Sequence, residues 1–435
     1  MLTREENELV TRVGPGTPMG EVFRRYWHPF LRTIDLPDAD GPPVRVELLG
    51  EKLVAFRDTS GKVGLVDEFC PHRLTSLFYG INDQGGLLCI YHGWKFDREG
   101  RCVDMPSDEP DSRFMEKVRI TTYPVVEAGG MLWCYMGPLE KQPGFPRFIY
   151  NVLPPEHTAV AKLPIYCNWL QSAEGNIDTT HLGTLHSSYA ERVPMDVETD
   201  KPGYPSPRFS LYVRASYRYA QVNVQDTDYG FRLIAVRPTD AGNQHLRINC
   251  HILPEMTFIA AQHGLGAFHI TVPVNDETSV RFSGGFNPDR PLTQAERQTI
   301  LFNNVDTVGE RRQRAENDYL LDRKAQKTTM YAGGIWPIAA QDFPVTESMG
   351  GGAIVDRTRE HLYAADAAII RLRQQLITLA RNLKEGIDPP DISRLPLDKI
   401  RSEEIIIGPD DNPYLVATHA GEHAGRGERL LATKR

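Results

Sequence analysis

Four side chains able to hold a soft metal lie close together early in the chain, as Cys70-Pro-His72 and, sixteen residues later, Cys89-Ile-Tyr-His92. Thiolates and imidazoles select zinc, copper or iron-sulfur centres over hard cations. One reading of the four is a Cys2His2 zinc knuckle. Zinc sites, however, usually pair Cys with Cys and His with His, at two to five intervening residues. Here each pair is mixed, and Pro71 alone separates the first. Mixed pairing suits a two-iron, two-sulfur cluster in which each loop gives its Cys to one iron and its His to the other. Replacing two thiolates by neutral imidazoles raises the reduction potential of such a cluster. Trp94 and the glycines Gly80, Gly85, Gly86 and Gly93 read as loop-shaping residues rather than ligands.

A second constellation lies in NWLQSAEGNIDTTHLGTLH, residues 168–188 being read as helix. Asp178 and His181, three apart, fall on one face of a helix. His186 is five further on, about 140° round an ideal helix, so both imidazoles reach one metal only if the helix ends or bulges between them. Gly183 stands at a suitable place. Two imidazoles and one carboxylate on one face of an iron leave positions open for dioxygen and substrate. Asp178 is either that carboxylate or a residue standing behind the ligands.

The elements that must position these groups follow from periodicity. Residues 44–68 alternate apolar and polar side chains and break at Gly50 and Ser60-Gly61, and the same texture runs through 86–103 and 118–136. The first third is therefore an all-β module holding the Cys/His loops. The Pro/Gly-dense stretch 137–155 marks a boundary. Beyond it, 208–285 reads as long strands and 292–327 as a second helical pattern. Ala365, Ile369, Leu372, Leu376, Leu379 and Leu383 form one apolar helical stripe stopped by Gly386. The tail from about 409 reads as an extended arm or as a partly disordered one.

A chain of 435 residues with 40% apolar and 24% charged residues has material for two or three domains. A formal net charge of −8 argues against a nucleic-acid partner. The cluster Arg311, Arg312, Arg314, among Glu310, Glu316 and Asp318, reads as a solvated helix face. Six cysteines do not make a disulfide scaffold in a chain of this size. The N-terminus lacks the apolar core of a secretory signal and no run is long enough to span a membrane, so the expected setting is cytoplasmic.

The two motifs, in this order and about ninety residues apart, resemble the oxygenase (alpha) component of Rieske non-haem iron aromatic-ring-hydroxylating oxygenases, in the phthalate dioxygenase-like group. Residues 341–366, with YWHPF at 26–30 and RAENDYLLDR at 314–323, add to that likeness. The resemblance implies an α+β fold, an all-β Rieske domain followed by a helix-grip catalytic domain with a curved antiparallel sheet and flanking helices. Expected divisions are 1–43 packing on the catalytic domain, 44–150 the Rieske domain, and 151–435 the catalytic domain with its C-terminal extension.

It further implies a 2Fe-2S cluster on Cys70, His72, Cys89 and His92, and a mononuclear Fe(II) on His181, His186 and Asp342. Glu347 and Asp356 compete for that third position. Asp178 becomes an inter-subunit electron-transfer bridge, which makes a homotrimer, or a hexamer of stacked trimers, part of the mechanism. O2 is the co-substrate, and a separate flavin and iron-sulfur reductase draws on NADH or NADPH, since no Gly-rich nucleotide loop occurs in the chain. The implied substrate is a small aromatic acid. Arg218, Arg232 and Arg247 lie in the strand region, and a guanidinium is the natural clamp for its carboxylate, with Arg218 and Arg247 the candidates. Residues 217–231 lack the Pro-Arg pair expected ahead of Asp-Thr in a phthalate enzyme, which argues against phthalate itself. Competing expectations are an oxidative O-demethylase of a methoxylated aromatic acid and, from another class, a Rieske electron carrier or redox sensor.

Overall fold

The computed structural model describes residues 1–109, 111–192, 201–260, 265–301 and 311–419. Two short helices begin the chain. α1 (Arg4–Thr11) starts at a capping box between Thr3 and Glu6, and α2 (Pro18–Phe23) starts at Thr17 with proline in its first turn, where a missing N–H costs nothing.

Three small antiparallel sheets follow. β1 (Trp27–Arg32) stands apart in sequence from its neighbours. β2 (Val44–Leu48), β3 (Glu51–Arg57) and β4 (Val63–Asp67) form one sheet, and β5 (Ile81–Asp83), β6 (Gly86–Leu88), β7 (Lys95–Phe96) and β8 (Cys102–Asp104) form another. β9 (Val125–Ala128) and β10 (Met131–Tyr135) complete the third with β1, Trp27 lying opposite Tyr135. Thus β1, inside the segment expected to pack on the second domain, joins the strands that flank the Cys/His loops.

After α3 (Ile149–Val152) and β11 (Thr158–Ile165) comes α4 (Trp169–Ile177), capped by the Asn168 side chain. α5 (Pro207–Ser216) precedes β12 (Gln221–Thr227), β13 (Gly230–Pro238), β14 (Gln244–Ile252), β15 (Met256–Ile259), β16 (Gly266–Pro273) and β17 (Ser279–Phe286). These make one antiparallel sheet in the order β11-β17-β16-β15-β14-β13-β12. α6 (Gln294–Ile300), α7 (Ala325–Thr328), α8 (Asp342–Glu347) and α9 (Ala367–Lys384) are followed by β18 (Glu403–Ile407) and α10 (Pro413–His419). β14 pairs with β15 through Cys250–Ile252 and with β18 through Gln244–Ile248, so the C-terminal strand completes the sheet. The architecture is α+β.

One sheet face stacks Phe258, Phe268 and Phe286 with Phe148 and Tyr150. A Cβ on Gly284 would stand 2.0 Å from the Phe268 ring, which requires glycine there. On the other face α4 lies over β15 and β16, and α9 packs on β12, α1, α2 and α4. Buried Glu174 of α4 pairs with Arg357 at 3.1 Å and with Arg373 of α9 at 2.6 Å, and Arg357 donates to Asn7 of α1. That network ties three helices together. Leu372, Leu376 and Leu379 are buried as the apolar stripe predicts, and Gly386 follows with φ +83°. Among the described residues no helix is long and apolar enough to cross a membrane.

Five sequence expectations need correction. The helix expected over 168–188 ends at Asp178, whose ψ of 127° is extended, and a separate 3-10 turn holds His181–Gly183. Residues 208–216, expected as strand, belong to helix α5; Phe209, Tyr212 and Val213 face inward at helical spacing, a pattern masked by β-prone residue types. The pattern over 292–327 is broken into α6, a 3-10 segment over Ala315–Leu320 and α7, with 302–310 outside the described residues. Arg311, expected in solvent, is fully buried, bonded to Glu347 at 2.6 Å and stacked 3.9 Å over Phe343. Its acidic neighbours in sequence gave no hint of a partner thirty-six residues away. The expected arm carries helix α10; residues 420–435 lie outside the described ones.

Candidate metal centres

Two matching loops present the first four donors. Cys70 N–H donates to Thr75 O while Leu74 N–H returns to Cys70 O, and in the second loop Cys89 N–H donates to Trp94 O while Gly93 N–H returns to Cys89 O. Leu74 and Gly93 both carry positive φ to close these turns. The cysteines are buried, at 1% and 3% exposure, whereas His72 is exposed and His92 half-buried. The two imidazoles stand 4.4 Å apart, with His72 stacked on Trp94 at 4.5 Å.

Burial pushes the Cys70 thiol up to about 11, and neighbouring Cys89 adds to the effect. Positive charge between the sulfurs is what such a pair needs. His92 Nδ1 is buried with no hydrogen-bond partner. Thiolates inside, imidazoles outside and an orphaned ring nitrogen fit a 2Fe-2S cluster with its histidines toward solvent. Around them Leu74, Ile90 and Tyr91 are exposed at 70%, 56% and 52%.

The second group is built where α4 ends. Asp178 caps the helix C-terminus; its Oδ1 accepts from Thr180 N–H and Oγ1, both at 2.7 Å, which leaves Oδ2 3.3 Å from His181 Nδ1. The break after Ile177 turns His181 and His186 toward one point, their centroids 5.0 Å apart. α8 brings Asp342, with Oδ1 2.9 Å from His186 Nε2 and 3.9 Å from His181 Nε2. One donor atom from each of the three lies within 4.8 Å of the others. Gln341 Oε1, 2.8 Å from His186 Nδ1, fixes the tautomer that leaves Nε2 free as a ligand.

The electrostatics describe a cation site. Burial works to raise the Asp342 carboxyl, but His186, His181 and Arg281 outweigh it and hold it well below the usual carboxylate range. His181 moves the other way: burial opposes its charged form, yet Asp178 and Asp342 lift it above an ordinary imidazole. Two imidazoles and one carboxylate fit non-haem ferrous iron.

The other sequence candidates fall elsewhere. Glu347 spends both oxygens on Arg311, Tyr166 N–H and Tyr319, and Asp356 caps a 3-10 turn through Thr358. Arg218 lies after α5 rather than in a strand, exposed, with Nη1 3.4 Å from Tyr331 Oη. Arg247, on β14, is buried with Nη1 3.3 Å from Glu404. Arg232 bonds Gln225 and lies over Tyr229. Sequence reasoning missed Gln341 and also Arg281, whose Nη1 is 3.7 Å from Asp342. The Gln beside Asp342 was the available signal for the first; strand alternation alone could not mark the second.

Comparisons with known proteins give the family of each half of the chain. Residues 26–124 match the Rieske 2Fe-2S domain family, and residues 134–411 match the family described as LigXa C-terminal domain like. The chain is 37% identical over 423 residues to the 3-chlorobenzoate-3,4-dioxygenase oxygenase subunit of Comamonas testosteroni, covering 90% of this chain and 93% of that one. It is 37% identical over 398 residues to the phthalate 4,5-dioxygenase oxygenase subunit of Pseudomonas putida, covering 89% and 88%. Against the 5,5'-dehydrodivanillate O-demethylase oxygenase subunit of a Sphingobium species, identity is 31% over 430 residues, covering 94% and 89%.

Proposed function

The chain belongs to the Rieske non-haem iron oxygenases as an oxygenase subunit, and from that premise we propose that it hydroxylates or dihydroxylates a small aromatic carboxylate at a His181, His186 and Asp342 centre. The observation that carries this reading is the convergence of those three side chains from a broken helix and a distant one, with Gln341 orienting His186. When bound, the 2Fe-2S cluster supplies single electrons and the ferrous iron activates O2. The remaining work falls to the chain's own side chains. Asp178 holds His181 Nδ1 and keeps Nε2 turned toward Asp342. The substrate carboxylate is assigned to Arg247 or Arg218, whose fixed donor forks suit it.

Asp178 also serves as the bridge to an imidazole of a neighbouring copy. The exposed His72, half-buried His92 and their apolar rim support that contact, and with it a homotrimer or a hexamer of stacked trimers. Electrons come from a separate flavin and iron-sulfur reductase drawing on NADH or NADPH, in the cytoplasm. A second reading, O-demethylation of a methoxylated aromatic acid, is favoured by the likeness to the dehydrodivanillate enzyme. The test supplies a surrogate reductase, NADH and O2 with a panel of aromatic acids. Substrate-dependent NADH consumption with a hydroxylated product supports the first reading, and formaldehyde the second. Oxygen consumption independent of every acid would sink both.

A further inference from the structure

Four strands set a row of polar side chains across the sheet. Register pairs His251 of β14 with Thr257 of β15, Thr257 with His269 of β16, and His269 with Ser283 of β17. Paired residues point to the same face, so the four form one transverse strip. His251, Thr257 and Ser283 are buried at 2%, 2% and 1% exposure, while His269 is half-buried, so the strip opens at that position. Among the described residues no hydrogen bond of good geometry reaches either ring nitrogen of His251, Nδ1 of His269 or Oγ of Ser283, although backbone of Met256 lies close enough to act on the His251 ring and that of Phe268 on the His269 ring. Buried polar groups are nearly always paired, and each orphan is costly. The opposite face of the same strands shows what a plain core would use: Cys250, Ile252, Phe258, Phe268, Ile270 and Phe282.

The strip adjoins the iron site, since Arg281, two residues before Ser283 and on the same face of β17, reaches Asp342 at 3.7 Å. None of its four side chains is a carboxylate, a guanidinium or an ammonium. Burial pushes both imidazoles down to about 3, with Arg281 adding to the effect on His269. On β14 the same face carries Arg247, four residues or about 13 Å of strand from His251.

We propose that the His251, His269 and Ser283 strip is the second recognition site of the substrate, reading a neutral oxygen substituent, a hydroxyl or methoxyl, on the ring of the acid. This rests on the aromatic-carboxylate reading above. Orphaned imidazole nitrogens and a hydroxyl offer both donors and acceptors to such an oxygen. A second carboxylate would fare badly there. The nearest guanidinium, Arg281, is engaged by Asp342 and Asn176, and a buried carboxylate without a counter-charge is strongly disfavoured.

The test is anaerobic isothermal titration of the holoenzyme with benzoate, the three hydroxybenzoates, the three methoxybenzoates and phthalate. At least one hydroxy or methoxy acid binds about tenfold tighter than benzoate, the worth of one good neutral hydrogen bond, and phthalate binds no better than benzoate. In His251→Phe and His269→Phe, checked for Rieske absorbance and iron content, that preference falls to within about twofold while benzoate affinity persists. His251→Gln, which keeps an N–H donor, retains part of it. Phthalate as the tightest ligand, or an unchanged preference in both Phe variants, overturns the proposal and leaves the strip to internal water. Failure of every acid to bind, benzoate included, removes the aromatic-acid reading itself and the strip's role with it.

Discussion

Replacing Gln341 by Leu removes a side chain that fixes the His186 ring from behind. Gln341 is 1% exposed; its Oε1 sits 2.8 Å from His186 Nδ1 and its Nε2 donates to Ile335 O at 3.1 Å. Leu has a similar volume, and the close fit against Gly333 keeps the space filled. Two neutral hydrogen bonds go, each worth about 0.5–1.5 kcal/mol. Only the bond to His186 acts on the metal, by holding the tautomer and raising the basicity of Nε2. Loss of such a partner lowers metal affinity about 10–100-fold, or about 1.4–2.7 kcal/mol. The assay follows loss of mononuclear iron to a chelator, with Rieske absorbance as the internal standard. Gln341→Leu releases its iron at a chelator concentration 10–100-fold lower than the wild type, whereas Gln341→Glu, which still accepts from Nδ1–H, stays close to wild type. Iron retention in the Leu variant equal to wild type would refute the assignment of Nε2 as the ligand atom and of Gln341 as its support.

Asp178→Asn is expected to assemble, bind iron and substrate, and pass electrons from cluster to iron far more slowly in single turnover; wild-type cluster oxidation would remove Asp178 from the path. Glu174→Gln leaves Arg357 and Arg373 buried without their carboxylate and should cost about 3–5 kcal/mol of stability, measured by chemical denaturation. Burial works to raise the Glu174 carboxyl above 4.5, but the two arginines outweigh it, so its stabilising contribution is present above that ordinary value and is lost as pH falls through the lower folded one. The stability gap between wild type and Glu174→Gln therefore closes on acidification, and a constant gap would contradict the ion network. At least one of Arg218→Ala and Arg247→Ala should raise KM for the acid substrate by the loss of a charge-assisted pair, about 1.5–3 kcal/mol; unchanged KM in both rules these residues out as the clamp.

Most of the candidate donors were legible because they come in short spacings. Cys70 to His72 and Cys89 to His92 each sit in one loop, and His181 and His186 are five residues apart, so local sequence carries them. A break between the two imidazoles was required by their 140° misfit on a continuous helix: the short turn from His181 stops at Gly183, and a further break at Asp178 precedes both. Long-range partners were not legible. Arg311 and Glu347 are thirty-six apart, Glu174 and Arg373 one hundred and ninety-nine, and nothing local announces either pair. Nor does periodicity separate the polar strip from ordinary strand alternation: His251 and His269 stand where any half-buried sheet would place polar residues, and only the register shows them in one row.

The central claim is that one chain holds both a Rieske cluster and a mononuclear iron, and metal content with spectroscopy tests it most directly. Wild type should contain three irons per chain, two in the cluster and one in the triad, with a rhombic EPR signal from the reduced cluster. His181→Ala and Asp342→Ala should each hold two irons with that signal unchanged. Zinc at the Cys/His loops, or a wild type with two irons that the triad substitutions do not alter, would contradict the account and return the chain to an electron carrier.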